Sequence, residues 1–150
     1  MRKTSPLGID LIKHEEGLVL HIYNDFVGFP TIGYGHLIRK GETFTRDITE
    51  QEAEALLRKD LVTAEYYVGT FLPVELTDHQ FDALVSFTFT LGGGALQRST
   101  LRQCLLRGDL MSAADEFPKW VYAGGKKSSV LIRRRQTERR LFLTDIEIGE

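Results

Sequence analysis

The 150-residue chain has one cysteine, Cys104. That excludes an internal disulfide framework and a cysteine-based zinc site. Cys104 lies between Leu101 and Leu105 in an apolar helical stretch, where it reads as a small core residue. Apolar runs are only a few residues long, far short of the roughly 20 needed to span a bilayer. The first sixteen residues are interrupted by Lys13 and three acids, so they read as neither a signal peptide nor a signal anchor. There is no GxxxxGK[ST] loop and no HExxH. The glycines at 33 and 35 open no helix, which makes them poor nucleotide-binding residues. The four histidines (His14, His21, His36, His79) lack metal-ligand spacing, so neither a metal nor another cofactor is expected. Low-complexity tracts and internal repeats are also absent.

A large charge of either sign is missing too. The formal net charge is −2, which argues against nucleic acid as a partner. The distribution is uneven. Residues 126–150 carry seven basic residues against four acids, a net +3, while residues 1–125 carry twelve against seventeen, a net −5. The basic end reads first as a solvated helix face and second as a surface that attracts a polyanion such as a bacterial cell wall or nucleic acid.

What is present is an ordinary globular composition, 42% hydrophobic and 27% charged, enough to bury one core. Ser5-Pro6 starts a helix that runs to about His14–Glu16 and stops at Gly17. Leu18, Leu20 and Ile22 alternate with Val19, His21 and Tyr23, which predicts a strand. A turn follows at Asn24-Asp25, then a Gly-bracketed strand at 31–34. Thr49 and Glu52 have capping-box spacing at the head of a long helix. That helix carries Ala53, Leu56, Leu57, Leu61, Ala64 and Val68 at helical intervals. Asp60 falls on the same stripe and needs a partner. Thr77 with Gln80 opens a second capped helix, apolar almost all round to Leu91 and closed by Gly92-Gly93-Gly94. Ser99 and Asp109 cap two shorter helices, and a last helix runs from Ser128 or Ser129 to about Leu143. The order of one helix, a small β-ribbon and about five helices predicts an α+β fold. The strands are expected at one end, with a ligand cleft between a ribbon lobe and a helical lobe.

Chemistry concentrates between Glu15 and His36. A carboxylate closes the first helix, where the negative end of the dipole disfavours its ionised form. A carboxyl kept protonated near neutral pH is what a general acid needs. Asp25 is a second carboxylate in the turn, and Thr31 a hydroxyl able to hold a water. An acid, a separate carboxylate and a positioned water are the equipment of glycoside hydrolysis. Periodicity alone does not choose between Glu15 and Glu16 as the acid.

Glu16-Gly17-Leu18, Tyr23-Asn24-Asp25 and Thr31-Ile32-Gly33-Tyr34-Gly35-His36 together resemble the phage-type lysozymes, glycoside hydrolase family 24. That family's pattern is Glu, eight residues, Asp, five residues, Thr. Both gaps fit here, and they select Glu16. Further likeness lies in the connecting helix from Thr49 to Asp60 and in the central region at Ser86–Phe89, Gly94-Ala95 and Ser99–Leu101. It ends with Trp120 and Arg134–Phe142.

The resemblance implies one lysozyme-like domain over residues 1–150 that cleaves peptidoglycan between N-acetylmuramic acid and N-acetylglucosamine. Glu16 protonates the leaving oxygen, Asp25 stabilises positive charge on the sugar or helps activate water, and Thr31 holds that water. Leu37, Phe89 and Ser99 match positions that line the family's cleft. His36 and Asp60 match a buried structural pair. Tyr34 and Phe29 are open to two readings, stacking on sugars or packing in the core. Glu138, within helical reach of Arg134 and Arg135, reads as structural. Thr90 and Val130 depart from the family pattern.

The expected partner is peptidoglycan, with a monomeric protein and no stable membrane association. The expected setting is synthesis in a host cytoplasm and action in the periplasm after a holin opens the membrane. The rival readings are a secreted bacterial effector with the same chemistry and a non-catalytic wall-binding module on the same scaffold.

Overall fold

A computed structural model describes residues 1–148 of the chain. Helix α1 (Pro6–Glu16) leads into a three-stranded antiparallel sheet of β1 (Val19–Asn24), β2 (Pro30–Gly33) and β3 (His36–Leu37), in that order. Six helices follow: α2 (Glu50–Phe71), α3 (Asp78–Leu91), α4 (Gly93–Arg98), α5 (Thr100–Leu106), α6 (Leu110–Ala114) and α7 (Ser129–Ile148). Between α6 and α7 lie a 3₁₀ turn at Phe117–Lys119 and a hairpin of β4 (Tyr122–Ala123) with β5 (Lys126–Lys127). The fold is α+β.

Residues 9–62 form one compact unit, and residues 1–8 with 63–150 form another. In the first, Gly17 ends α1 with φ +74° while its N–H reaches the Lys13 carbonyl at 2.9 Å. A residue with a side chain is strained at that φ. Ile32, Ile48, Ala53, Leu57 and Leu61 are almost fully buried in this unit. Thr49 and Glu52 form both bonds of the capping box at the head of α2. Lys13 pairs with Glu54, and its ammonium also lies 5.6 Å from the centre of the Tyr34 ring.

In the other unit α3 is buried from Gln80 to Thr88. Phe87 meets the rings of Phe117 and Trp120 edge-on, and Phe117 lies 5.5 Å from Phe142 of α7. Beneath this core Glu138 and Arg135 are fully buried. Ser86 donates to Glu138, Arg135 donates to Glu138 at 3.0 Å, and the Arg135 guanidinium stands over the Phe87 ring. The chain's start is held the same way. Buried Glu65 accepts from the N–H and hydroxyl of Thr4, and buried Asp82 accepts from those of Ser5. Cys104 is buried and free.

Three elements depart from the sequence expectation. Gly92 alone breaks α3, and Gly93 and Gly94 begin α4 instead of ending the earlier helix. The strands are not confined to one end of the chain, because Gly124 and Gly125, at φ +59° and +82°, turn β4 back on β5. The last helix continues beyond Leu143 to Ile148.

Candidate active site

The ribbon register decides which side chains share a face. Tyr23 is paired with Thr31, Asn24 with Pro30, and Thr31 with Leu37. The Asp25 N–H reaches the Phe29 carbonyl at 2.9 Å, which carries the same ladder one step further. Directly opposed residues project to one side and side chains alternate along a strand. Tyr23, Asp25, Phe29, Thr31 and Leu37 therefore belong to a single face.

Asp25 builds its own turn. Its Oδ1 accepts from the backbone N–H groups of Val27, Gly28 and Phe29 at 3.0, 2.8 and 2.9 Å. Short polar side chains favour such turns because they replace a backbone acceptor. One carboxylate oxygen is thus committed to the backbone, which fixes the group's direction, and the turn leaves Oδ2 unused. The same turn exposes Phe26 completely and leaves Phe29 57% exposed. Thr31 is buried and its hydroxyl donates to the Phe29 carbonyl at 2.9 Å, so toward a further group it can only accept.

Glu16 is the last residue of α1 and is half-buried. Its carboxyl lies over Gly35 of the β2–β3 turn. A Cβ at Gly35 would stand 2.9 Å from the Glu16 Oε1, and φ there is +75°. Gly35 is therefore required both by the turn and by the acid above it. The phenol of Tyr23 feels both carboxylates. Burial pushes its pKa up, and the negative charges of Glu16 and Asp25 push it further in the same direction.

The remaining candidates separate. His36 is 3% exposed, with Nδ1 2.8 Å from Asp60 on α2. Its Nε2 lies 2.9 Å from Glu42, a partner that sequence reasoning missed. Glu42 also accepts from the Arg39 N–H at 2.7 Å, and this bond foremost, then the His36 ring, hold its carboxyl below the usual range. A carboxylate six residues beyond a histidine, in a loop of no regular period, leaves no spacing signal.

Leu37 is 52% exposed on the ribbon face. Phe89 and Ser99 belong to the helical unit. Phe89 is half-buried, and Ser99 is 2% exposed and caps α5, accepting from the Arg102 N–H and donating to the Leu96 carbonyl. Tyr34 is 5% exposed and belongs to the core, whereas Phe29 does not. Thr90 takes a bond from Arg135 at 2.8 Å, which turns its hydroxyl toward the buried ionic cluster. Among the described residues no cluster of three or more His, Cys, Asp or Glu is placed to hold a metal ion.

Comparison with known proteins points to one family. The family model described as phage lysozyme matches residues 13–138. The chain is 45% identical over 142 residues to an endolysin of Bacillus phage B103, covering 93% of this chain and 54% of the relative. It therefore spans about half the length of that protein. Among solved structures, an endolysin from Escherichia coli O157:H7 phage FAHEc1 superposes with a TM-score of 0.88 at 35% identity, covering 96% of this chain and 95% of that one. The muramidase domain of SpmX from Asticaccaulis excentricus gives 0.85 at 35% identity, covering 95% and 99%. The chain belongs to the phage lysozyme family.

Proposed function

We propose that this chain is a lysozyme which hydrolyses the β-1,4 bond between N-acetylmuramic acid and N-acetylglucosamine in peptidoglycan, in the setting of a phage endolysin. One observation carries the residue assignment. The ribbon register and the Asp25 turn support it: a half-committed carboxylate shares a face with a hydroxyl that can only accept, and the Glu16 carboxyl lies over Gly35 of the β2–β3 turn.

Glu16 gives its proton to the leaving glycosidic oxygen. The Oδ2 of Asp25 faces the positive charge that grows on the sugar, and the turn holds it there without reorganisation. Thr31 accepts a hydrogen bond from the attacking water, which keeps the water's lone pair directed at the sugar. The proton the water sheds as its bond to the sugar forms passes to the Asp25 carboxylate and on to solvent, from which Glu16 is reprotonated. Leu37 offers an apolar contact on the same face, Phe89 is a half-buried candidate contact, and Ser99, buried and capping α5, is a structural residue. The His36–Asp60 pair stabilises the ribbon unit and takes no chemical step. The chain is read as one lysozyme domain.

The protein works as a monomer with peptidoglycan as its partner. It is made in a host cytoplasm and passes a holin-made opening to the wall. No helix among the described residues is long and apolar enough to cross a membrane.

The decisive experiment is mass analysis of purified peptidoglycan digested by the wild type and by Glu16→Gln. The expected result is fragments with a reducing N-acetylmuramic acid end from the wild type and none from the variant. Anhydro-sugar ends would replace hydrolysis by transglycosylation. Equal digestion by both proteins would remove Glu16 from the acid's role.

A further inference from the structure

The ribbon face is rich in acceptors and short of donors. Ionised Asp25 only accepts. Thr31 has spent its proton on the Phe29 carbonyl. Phe29 and Leu37 have no polar side-chain atoms. The Glu16 proton is consumed by the leaving oxygen in the reaction proposed above. An N-acetylated sugar brings both kinds of group. Its hydroxyls donate, and these suit the carboxylate. Its acetamido carbonyl and ring oxygens only accept, and they need a donor from the protein. Tyr23 is the one member of this face that can supply a lasting one. It stands directly opposite Thr31 and two residues before Asp25, and it is half-buried. Its phenol keeps its proton, because burial first and the two carboxylates next oppose ionisation.

We propose that the Tyr23 hydroxyl is a substrate contact of this site, donating a hydrogen bond to an acceptor oxygen of the N-acetylated sugar held between Glu16 and Asp25. This rests on the lysozyme reading of the same face and adds to it the one donor the face retains. Phenylalanine at this position keeps the ring, its packing and the strand propensity, and removes only the donor.

The test compares the wild type, Tyr23→Phe and Glu16→Gln on purified peptidoglycan across the pH range of activity, well below their melting temperatures. Loss of one such hydrogen bond corresponds to about a tenfold fall in kcat/KM. The expected result is that fall at every pH for Tyr23→Phe, with its melting temperature close to that of the wild type. An unchanged kcat/KM overturns the proposal. So does a loss that disappears when the pH is moved by about one unit, since the hydroxyl would then tune the carboxylates and not touch the sugar. An active Glu16→Gln protein removes the underlying site reading along with this contact. An inactive Glu16→Gln protein beside a fully active Tyr23→Phe protein removes the contact alone.

Discussion

Glu138 in the helical unit and Asp25 in the ribbon unit are both carboxylates with several hydrogen-bond donors around them, yet they are built for opposite ends. Glu138 is fully buried, met by Ser86 and by the guanidinium groups of Arg134 and Arg135. Burial pushes its carboxyl up against the pull of Arg135 and Arg134. Nothing from solution can reach it. Asp25 takes all three of its N–H donors on one oxygen and keeps the other out of the turn. A carboxylate enclosed by donors holds a fold together, whereas one with a spare oxygen at a surface can meet a substrate. Neither the number of donors nor their distribution separates the two, since three donors meet Oε2 of Glu138 as three meet Oδ1 of Asp25; burial does, with Glu138 sealed in the core and Asp25 only half-buried.

The strongest way to break this contrast is Glu138→Ala. It leaves two guanidinium groups buried without their shared carboxylate, and removal of one partner from a buried pair costs about 3–5 kcal/mol. Denaturant unfolding should show that loss, with activity per folded molecule retained at low temperature. The matching change in the ribbon is Asp25→Asn. The amide oxygen still accepts from the turn, so the stability cost should stay near 1 kcal/mol. The charge that the proposed mechanism sets against the sugar is gone, and kcat on peptidoglycan should fall by about 10²–10³-fold. Equal stability losses in the two variants would dissolve the distinction.

Much of this was legible from the sequence, and the reasons differ by element. The caps at Thr49 and Thr77 were readable because a capping box is a local chemical pattern four residues long. The Glu16, Asp25 and Thr31 set was proposed from the sequence because its two gaps match a family pattern, and the ribbon register puts Asp25 and Thr31 on one face. Helix α4 was hidden because three glycines look like a terminus, and only the backbone shows that Gly92 alone breaks the helix. The β4–β5 hairpin has two residues per strand, too few to show alternation. Glu42 was invisible because an irregular loop brings it to His36. Phe29 and Tyr34 could not be told apart by type. Phe29 rides the exposed Asp25 turn, whereas Tyr34 packs inward beside Lys13.

His36 sharpens the comparison from inside the ribbon unit. It is a buried group with two acidic partners, close in character to the Glu138 cluster although it adjoins Leu37 on β3. Replacing it with alanine leaves Asp60 and Glu42 facing each other without the ring. The cost should be about 2 kcal/mol, read as a lower melting temperature. Digestion of peptidoglycan at low temperature should continue at a comparable rate. A stable but inactive His36→Ala protein would move this residue into the chemistry.

The smallest expected effect lies in how two carboxylates respond to pH, one from each unit. Glu42 titrates below its ordinary value, chiefly because the Arg39 N–H bonds the charged form. A depressed carboxyl contributes stability that is fully present above its unfolded pKa, near 4.5, and lost as pH falls through the lower folded value. Asp82 behaves oppositely. Burial raises its carboxyl, with the two Ser5 bonds working against that rise. Its neutral form is the favoured one, so its contribution is fully present below its unfolded pKa, near 3.8, and declines as pH rises through the folded value. The stability gap between wild type and Glu42→Gln should therefore be widest at neutral pH and close on acidification. In Asp82→Asn the wild type should lose ground to the variant as pH rises from about 3 toward 7, whatever constant offset the amide introduces. Melting curves of the three proteins over that range measure both slopes. Slopes of the same sign would show that the two carboxylates, and the units that hold them, do not differ in the way their surroundings imply.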